Sequence, residues 1–78
     1  MFIYEFQVQM KCGACPAAVS KALSSRQGIN KYFVNMEMQR VYVETILPAE
    51  EIVDTIEKET GNETTHINTI RVQYNSRE

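Results

Sequence analysis

The chain has 78 residues, of which 44% are hydrophobic, and its formal net charge is −2. These values fit one small globular domain and exclude a disordered chain. The apolar runs are too short to cross a bilayer, and polar residues interrupt the first one before it could act as a secretion signal. We therefore expect a cytoplasmic location, with no membrane insertion and no nucleic-acid partner.

Charge is divided unevenly along the sequence. Residues 7–36 contain no acidic side chain, and their basic residues are Lys11, Lys21, Arg26 and Lys31. Five carboxylates fall within residues 50–59, where Lys58 is the one basic residue. Such runs usually mark solvated helix faces. Alternatively, a basic rim in the N-terminal half can steer an acidic partner.

A strand followed by a helix is predicted for the N-terminal third. Apolar side chains alternate along the first run, at Phe2, Tyr4, Phe6 and Val8. This period of two predicts a half-buried strand. Steps of three and four then relate Cys15, Ala18, Val19, Ala22 and Leu23, as on one face of a helix. Because Pro16 is tolerated only in a first turn, the helix should begin near Cys15, and Gly28 is a candidate stop.

The rest of the chain predicts two strands, a second helix and a last strand. The strands cover residues 32–36 and 40–45, and no Gly or Pro marks the turn between them. Pro48 should open the helix and Gly61 should end it, with a buried stripe of Leu47, Ile52, Val53 and Ile56. The last strand lies between residues 63 and 74. Its register is open: either Thr65 and Ile67 alternate with His66, or Ile70, Val72 and Tyr74 form the alternating pattern.

The resulting element order is βαββαβ. Two helices on one face of a four-stranded antiparallel sheet, the ferredoxin-like sandwich, is the arrangement that this order predicts. We therefore assign the chain to the α+β class.

The chemistry of the chain is concentrated in Cys12 and Cys15, where the first strand meets the first helix. A disulfide between them would close a very small loop and stabilise little, so metal binding or thiol exchange is the better interpretation. Residues at i and i+3 share a helix face, and the small Gly13 and Ala14 should leave both sulfurs exposed. The helix N-terminus and Lys11 favour the thiolate form. The structural alternative is two small buried hydrophobic residues.

Two thiolates without further ligands suit Cu(I), a soft ion that accepts nearly linear coordination by sulfur. A structural zinc site needs four ligands, and the chain offers only His66 and no third cysteine. An open pair of this kind stores an ion poorly but can release it to the thiols of a partner. Two copies can also share one metal through four thiolates, which would give a metal-bridged homodimer.

The sequence MKCGAC at residues 10–15 resembles the Met-x-Cys-x-x-Cys motif of the heavy-metal-associated domain. Residues 5–15 and 18–21 resemble the Atx-type cytosolic copper chaperones, and the similarity extends over about residues 4–67. We assign the domain to residues 1–74 and a short C-terminal tail to residues 75–78. The resemblance implies that Cys12 and Cys15 bind Cu(I) and pass it by thiolate exchange to the metal-binding domains of a copper-transporting P-type ATPase. Met10 is then a packed residue that supports the loop.

One position departs from the family pattern. Eukaryotic chaperones commonly carry a Lys after the Thr-Gly that follows the second helix, and this chain has Asn62 there. Either Lys11 or Lys58 then supplies the positive charge near the site, or no residue does. The departure also fits a metal-binding domain of a copper ATPase, or of the superoxide dismutase copper chaperone. Met1 directly before the first strand favours a stand-alone chain.

A thiol–disulfide oxidoreductase is the alternative from another class. A Cys-x-x-Cys pair at a helix N-terminus is also the thioredoxin-type arrangement. The ferredoxin-like element order and the absence of Pro between the cysteines speak against it. We therefore expect a non-enzymatic carrier.

Overall fold

The structure is a computed structural model that describes residues 1–11 and 13–71. Its elements in chain order are β1 (Phe2–Val8), α1 (Cys15–Ser24), β2 (Ile29–Asn35), β3 (Arg40–Thr45), α2 (Ala49–Thr60) and β4 (Thr64–Arg71). The predicted βαββαβ order is confirmed. Across these described ranges, no helix is long and apolar enough to cross a membrane.

The four strands form one antiparallel sheet in the order β2-β3-β1-β4. β1 is a central strand, paired with β3 on one side and with β4 on the other. Both helices pack on one face of the sheet, which confirms the ferredoxin-like arrangement. The connection that carries the cysteine motif therefore leaves the end of a central strand.

The core lies between the sheet and the helices. Its fully buried side chains come from alternate positions of β1 and β3 and from both helices: Phe6, Val8, Val41, Val43, Val19, Leu23, Ile52 and Ile56. The period-two prediction for β1 is thus confirmed, because the residues between these positions point to the opposite face of the sheet. That outer face includes Phe33 and Ile70, both more than half exposed.

Two predictions about α1 are wrong. Ala18 is exposed, although Val19, Ala22 and Leu23 of the same stripe are buried as expected. The helix also ends at Ser24, four residues before Gly28. Gly28 instead takes a left-handed φ of 97° just before β2, where a Cβ would meet the Leu47 side chain at 3.1 Å. The left-handed φ favours glycine there, and a Cβ would also require the Leu47 side chain to move by a few tenths of an ångström.

The turn between β2 and β3 contains no glycine because Gln39 takes the left-handed conformation itself, at φ 57°. The Gln39 backbone N–H donates to the Met36 carbonyl, and the Met38 N–H donates to the Asn35 side chain. β2 begins three residues earlier than predicted, at Ile29, whereas β3 has the predicted bounds.

The second helix follows its prediction. Pro48 is its N-cap, and Gly61 is its left-handed C-cap, with φ 73°. Ile52 and Ile56 are buried, and Leu47 and Val53 pack against the core.

The last strand combines parts of both predicted registers. β4 covers Thr65, Ile67 and Ile70, whereas Val72, Tyr74 and the tail at 75–78 lie outside the described residues. A register shift opposite Glu5 and Phe6 reorganises the pairing with β1. Neither Ile67 nor Ile70 is buried, and the His66 ring instead packs against the rings of Tyr4 and Phe6.

Candidate metal centre

The loop that follows β1 is attached to both neighbouring strands. The backbone N–H of Val8 donates to the Gln39 carbonyl, and that of Gln9 donates to the Glu63 carbonyl, each at 3.0 Å. Met10 is only 3% exposed and belongs to the core cluster. These contacts hold the beginning of the cysteine motif against the body of the domain.

Gln39 fixes the backbone of Met10 from the β2–β3 turn. Its side-chain oxygen accepts a hydrogen bond from the Met10 N–H at 2.6 Å. Its Nε2 donates to the carbonyls of Met10, at 3.2 Å, and Met36, at 2.8 Å. Sequence reasoning missed this residue, because a glutamine in a turn has no local signature for a contact with a segment 29 residues away.

Cys15 is the first residue of α1. The N-cap Ala14 makes no side-chain capping bond, and the first turn contains no acidic residue. The positive end of the helix dipole is therefore not offset by a nearby carboxylate of its own first turn, and it favours negative charge on the Cys15 sulfur.

Cys15 is less accessible than the sequence analysis predicted. It is 8% exposed and belongs to the same core cluster as Met10. The expectation of an open sulfur is thus wrong for Cys15. Its sulfur is also disulfide-bonded in the structure, so it must be reduced before it can bind a metal. Cys12 lies outside the described residues, and its place at the site stays a prediction.

The side chain of Asn62 reaches Cys15 from the α2–β4 connection. Its Oδ1 lies 3.9 Å from the Cys15 Sγ. Because a disulfide sulfur carries no hydrogen, this approach is a contact rather than a hydrogen bond in the oxidised form. The Asn62 backbone is fixed on both sides, since its N–H donates to the Thr60 hydroxyl and its carbonyl accepts from the Thr64 hydroxyl.

The two lysines predicted near the site occupy different places. Lys11 is exposed and lines a shallow depression beside Asn62 and Gly61. Lys58 lines the groove between α1 and α2. In the same groove Arg26 pairs with Glu51, with Nη2 and Oε1 2.5 Å apart, which links the basic half of the chain to the acidic helix.

The candidate soft ligand among the described residues is the sulfur of Cys15. The other candidate, His66, is engaged elsewhere, because its Nε2 lies 2.7 Å from the Thr69 hydroxyl and its ring packs on Phe6. Within residues 1–11 and 13–71, no group of three or more His, Cys, Asp or Glu side chains is arranged to bind a metal ion.

A ferredoxin-like sandwich with a Cys-x-x-Cys sequence after its first strand defines a class of small metal-binding domains. The family model described as the heavy-metal-associated domain matches residues 5–63. The chain belongs to the heavy-metal-associated domain family.

Relatives include small chaperones and larger ones. The chain is 38% identical over 60 residues to the metal homeostasis factor atx1 of Schizosaccharomyces pombe, covering 77% of this chain and 85% of that protein. It is 40% identical over 57 residues to the copper chaperone for superoxide dismutase of Rattus norvegicus, covering 73% of this chain and 21% of the relative. The chain thus matches about a fifth of the length of that larger relative.

Solved structures share the fold. The copper(I)-loaded first domain of the human copper chaperone for superoxide dismutase has a TM-score of 0.80 and 36% identity, covering 86% of this chain and 93% of that one. A copper-binding domain from HMA7, a P-type ATPase, has a TM-score of 0.81 and 27% identity, covering 88% and 97%.

Proposed function

We propose that the reduced chain is a cytoplasmic Cu(I) metallochaperone in which Cys12 and Cys15 are the ligands. It passes the ion by thiolate exchange to the metal-binding domains of a copper-transporting P-type ATPase, and it catalyses no reaction. The observation that carries the proposal is the position of Cys15 at the uncapped N-terminus of α1. The kinship with atx1 and with the copper(I)-loaded chaperone domain supports the choice of metal.

The surroundings of Cys15 favour a bound monovalent soft ion. Two thiolates and one Cu(I) carry a net charge of −1, which the helix N-terminus partly offsets. The buried position of Cys15 keeps water and hard competing ions away from one side of the site. Two sulfur ligands also leave a divalent ion such as Zn²⁺ short of the four that it prefers.

Transfer requires that a partner's thiolate approach the ion. The residues within and just after the motif are small and exposed: Gly13, Ala14, Ala17 and Ala18. Because these side chains are small, they leave steric room for a similar loop of the partner to approach the ion. The exposed Lys11 and Lys21 favour a partner with an acidic surface. Each thiolate of the partner can bind the ion before a thiolate of this chain dissociates, so the ion moves to the partner without being released into solution.

A competition titration with a colorimetric Cu(I) chelator, under reducing conditions, tests the proposal. We expect one Cu(I) per chain, and we expect Cys12→Ser and Cys15→Ser each to abolish competition with the chelator. Met38→Ala, an exposed substitution outside the motif, is the control and should bind as the wild type does. Failure of the reduced chain to take one Cu(I) from a weak chelator, or full affinity in Cys12→Ser, would refute the proposal.

Kinship with larger proteins favours a second context for the same chemistry. A metal-binding domain of a copper ATPase, or of a superoxide dismutase chaperone, would bind Cu(I) equally well but deliver it elsewhere. Transfer assays with an isolated ATPase domain and with apo superoxide dismutase separate these contexts. Mass spectrometry under non-denaturing conditions, with and without copper, tests the metal-bridged homodimer.

The feature that favours an oxidoreductase is Cys15 at the first position of α1, since a Cys-x-x-Cys pair at a helix N-terminus is also the thioredoxin-type arrangement. Insulin reduction at a rate comparable to that of a thioredoxin would support this second function. The metallochaperone proposal expects no such activity.

A further inference from the structure

Asn62 has an unsatisfied amide group next to a candidate metal ligand. Its Nδ2 is buried and has no hydrogen-bond partner among the residues that the structure describes. At the other end of the same amide, Oδ1 faces the Cys15 Sγ at 3.9 Å. Buried N–H donors without partners are rare in folded proteins, and each one calls for a physical explanation.

Exchanging the two ends of the amide resolves the conflict. Oxygen and nitrogen of a carboxamide occupy nearly the same space, so its orientation is assigned from hydrogen-bond partners. In the orientation seen in the structure, the amide oxygen faces the sulfur, and the Nδ2 donor has no partner among the described residues. Rotation by half a turn would direct the Nδ2 hydrogens at the sulfur. The oxygen would then take the buried position, where a missing partner is the smaller penalty.

We propose that Asn62 is a positioning residue that donates a hydrogen bond from Nδ2 to the Cys15 sulfur when Cys15 is reduced. A thiolate is an acceptor with full negative charge, so this bond belongs to the stronger, charge-assisted kind. The part that concerns metal affinity rests on the proposed function. The hydrogen bond itself belongs to the metal-free, reduced chain and does not depend on that function.

The local structure is suited to this role. The left-handed Gly61 turns the chain at the end of α2, and hydrogen bonds with Thr60 and Thr64 fix the Asn62 backbone. The side chain is therefore held beside Cys15 before any metal arrives. A neutral donor at this position offsets part of the negative charge of a bis-thiolate site, while the exposed Lys11 remains available to a partner.

Substitutions at Asn62 distinguish the effect of losing the hydrogen-bond donor from the effects of changing side-chain shape or charge. Asn62→Leu keeps the branched shape of the side chain without a donor, Asn62→Asp replaces the donor with a carboxylate, and Asn62→Lys supplies a different donor. We expect the Leu and Asp variants to bind Cu(I) about tenfold more weakly, the usual effect of removing a partner of a metal ligand, and the Lys variant to stay near wild type. Asn68→Leu and Asn68→Asp, at an exposed position of β4, are matched controls and should have no effect.

Two measurements on the metal-free protein read out the hydrogen bond directly. Equilibration with reduced and oxidised glutathione gives the dithiol–disulfide constant, in which two glutathione thiols reduce the chain and leave as glutathione disulfide. Asn62→Leu should shift this constant about tenfold towards the disulfide, because the thiolate loses its donor. In wild-type protein, the side-chain amide signals of Asn62 in ¹H–¹⁵N spectra should shift on reduction.

The outcomes are distinguishable. Equal glutathione constants for Asn62→Leu and Asn68→Leu, or Asn62 amide signals unchanged by reduction, would overturn the role of Asn62. The amide measurement needs no variant, so it stands even where a substitution impairs folding. A wild-type chain that binds no Cu(I) would instead refute the proposed function and leave the test of the hydrogen bond intact.

Discussion

The two ends of the sheet are held together by different kinds of contact. At the end away from the cysteine motif, Thr45 is completely buried, and its hydroxyl donates to the Gly28 carbonyl at 2.6 Å. The same hydroxyl accepts from the Leu47 N–H at 3.1 Å, and Tyr4 donates to the Leu47 carbonyl at 2.7 Å. The hydroxyls of both residues are satisfied at this end.

The end that carries the motif is less completely satisfied. Gln39 is only partly buried, although it bonds both backbone groups of Met10. Asn62 has an unpaired Nδ2 among the described residues, beside Cys15. Departures from full polar pairing concentrate where a protein binds ligands. One end of the sheet therefore stabilises the fold. At the other end, we propose that the Asn62 Nδ2 group donates to the Cys15 sulfur after reduction.

Thr45→Val should give the largest loss of stability without affecting the metal site. Valine fills the same space but leaves the Gly28 carbonyl and the Leu47 N–H without their partner, which costs about 2 kcal/mol of unfolding free energy. A domain of this size should then melt roughly 10 °C lower. Urea unfolding of the reduced, metal-free protein measures the change.

Thr45→Ser keeps the hydroxyl and should recover most of that stability. Cu(I) affinity should be the same in all three proteins when they are measured below their melting temperatures. A loss of Cu(I) affinity in Thr45→Val comparable to that in the Asn62 variants would show that the two ends of the sheet are coupled.

Compared with Thr45→Val, Gln39→Glu should destabilise the fold less and lower Cu(I) affinity more. The carboxylate can still accept from the Met10 N–H, but it loses the donor to the carbonyls of Met10 and Met36. We expect a destabilisation of about 1 kcal/mol. Cu(I) affinity should fall more than in Thr45→Val, because the beginning of the motif is no longer fixed.

Amide hydrogen exchange locates the effect of Gln39 on the loop. Gln39→Ala removes all three side-chain bonds, so the Met10 amide should exchange faster than in the Glu variant, which retains its acceptor. Glu37→Ala, at an exposed position of the same turn, is the control. Unchanged protection of Met10 in Gln39→Ala would show that the turn does not hold the loop.

The sequence was most informative where structure depends on nearby residues, although the extent of α1 and the burial of Ala18 were predicted wrongly. Alternation in β1, the stripe of α2 and the punctuation by Pro48 and Gly61 all act within one element, so their predictions are confirmed. The ferredoxin-like order followed from those elements. The family resemblance identified the motif, and with it the cysteines that we propose as ligands.

What the sequence did not reveal depends on contacts between distant segments. Nothing local shows that Gln39 adopts a positive φ and bonds to Met10, nor that Gly28 packs on Leu47. The burial of Cys15 likewise arises from its packing in the core. Asn62 was visible in the sequence only as a departure from a pattern, and its contact with Cys15 emerged from the fold.

Tyr4→Phe should give a small loss of stability, and the size of that loss depends on pH. Burial raises the pKa of Tyr4 above its ordinary value of 10.0, so the unfolded chain releases this proton at lower pH than the folded chain does. The contribution of Tyr4 is therefore complete below about pH 10 and is lost as the pH rises towards the folded pKa. At neutral pH the variant should be about 1 kcal/mol less stable, because the Leu47 carbonyl loses its donor.

Above pH 10 the difference between wild type and Tyr4→Phe should narrow, since the variant has no phenol to ionise at this position. Urea unfolding at pH 7 and at several values above pH 10 measures the two curves, and the difference between them cancels the titration of every other group. Parallel curves would mean that Tyr4 ionises equally in the folded and unfolded chains. The end of the sheet opposite the motif would then be more open to water than its hydrogen bonds indicate.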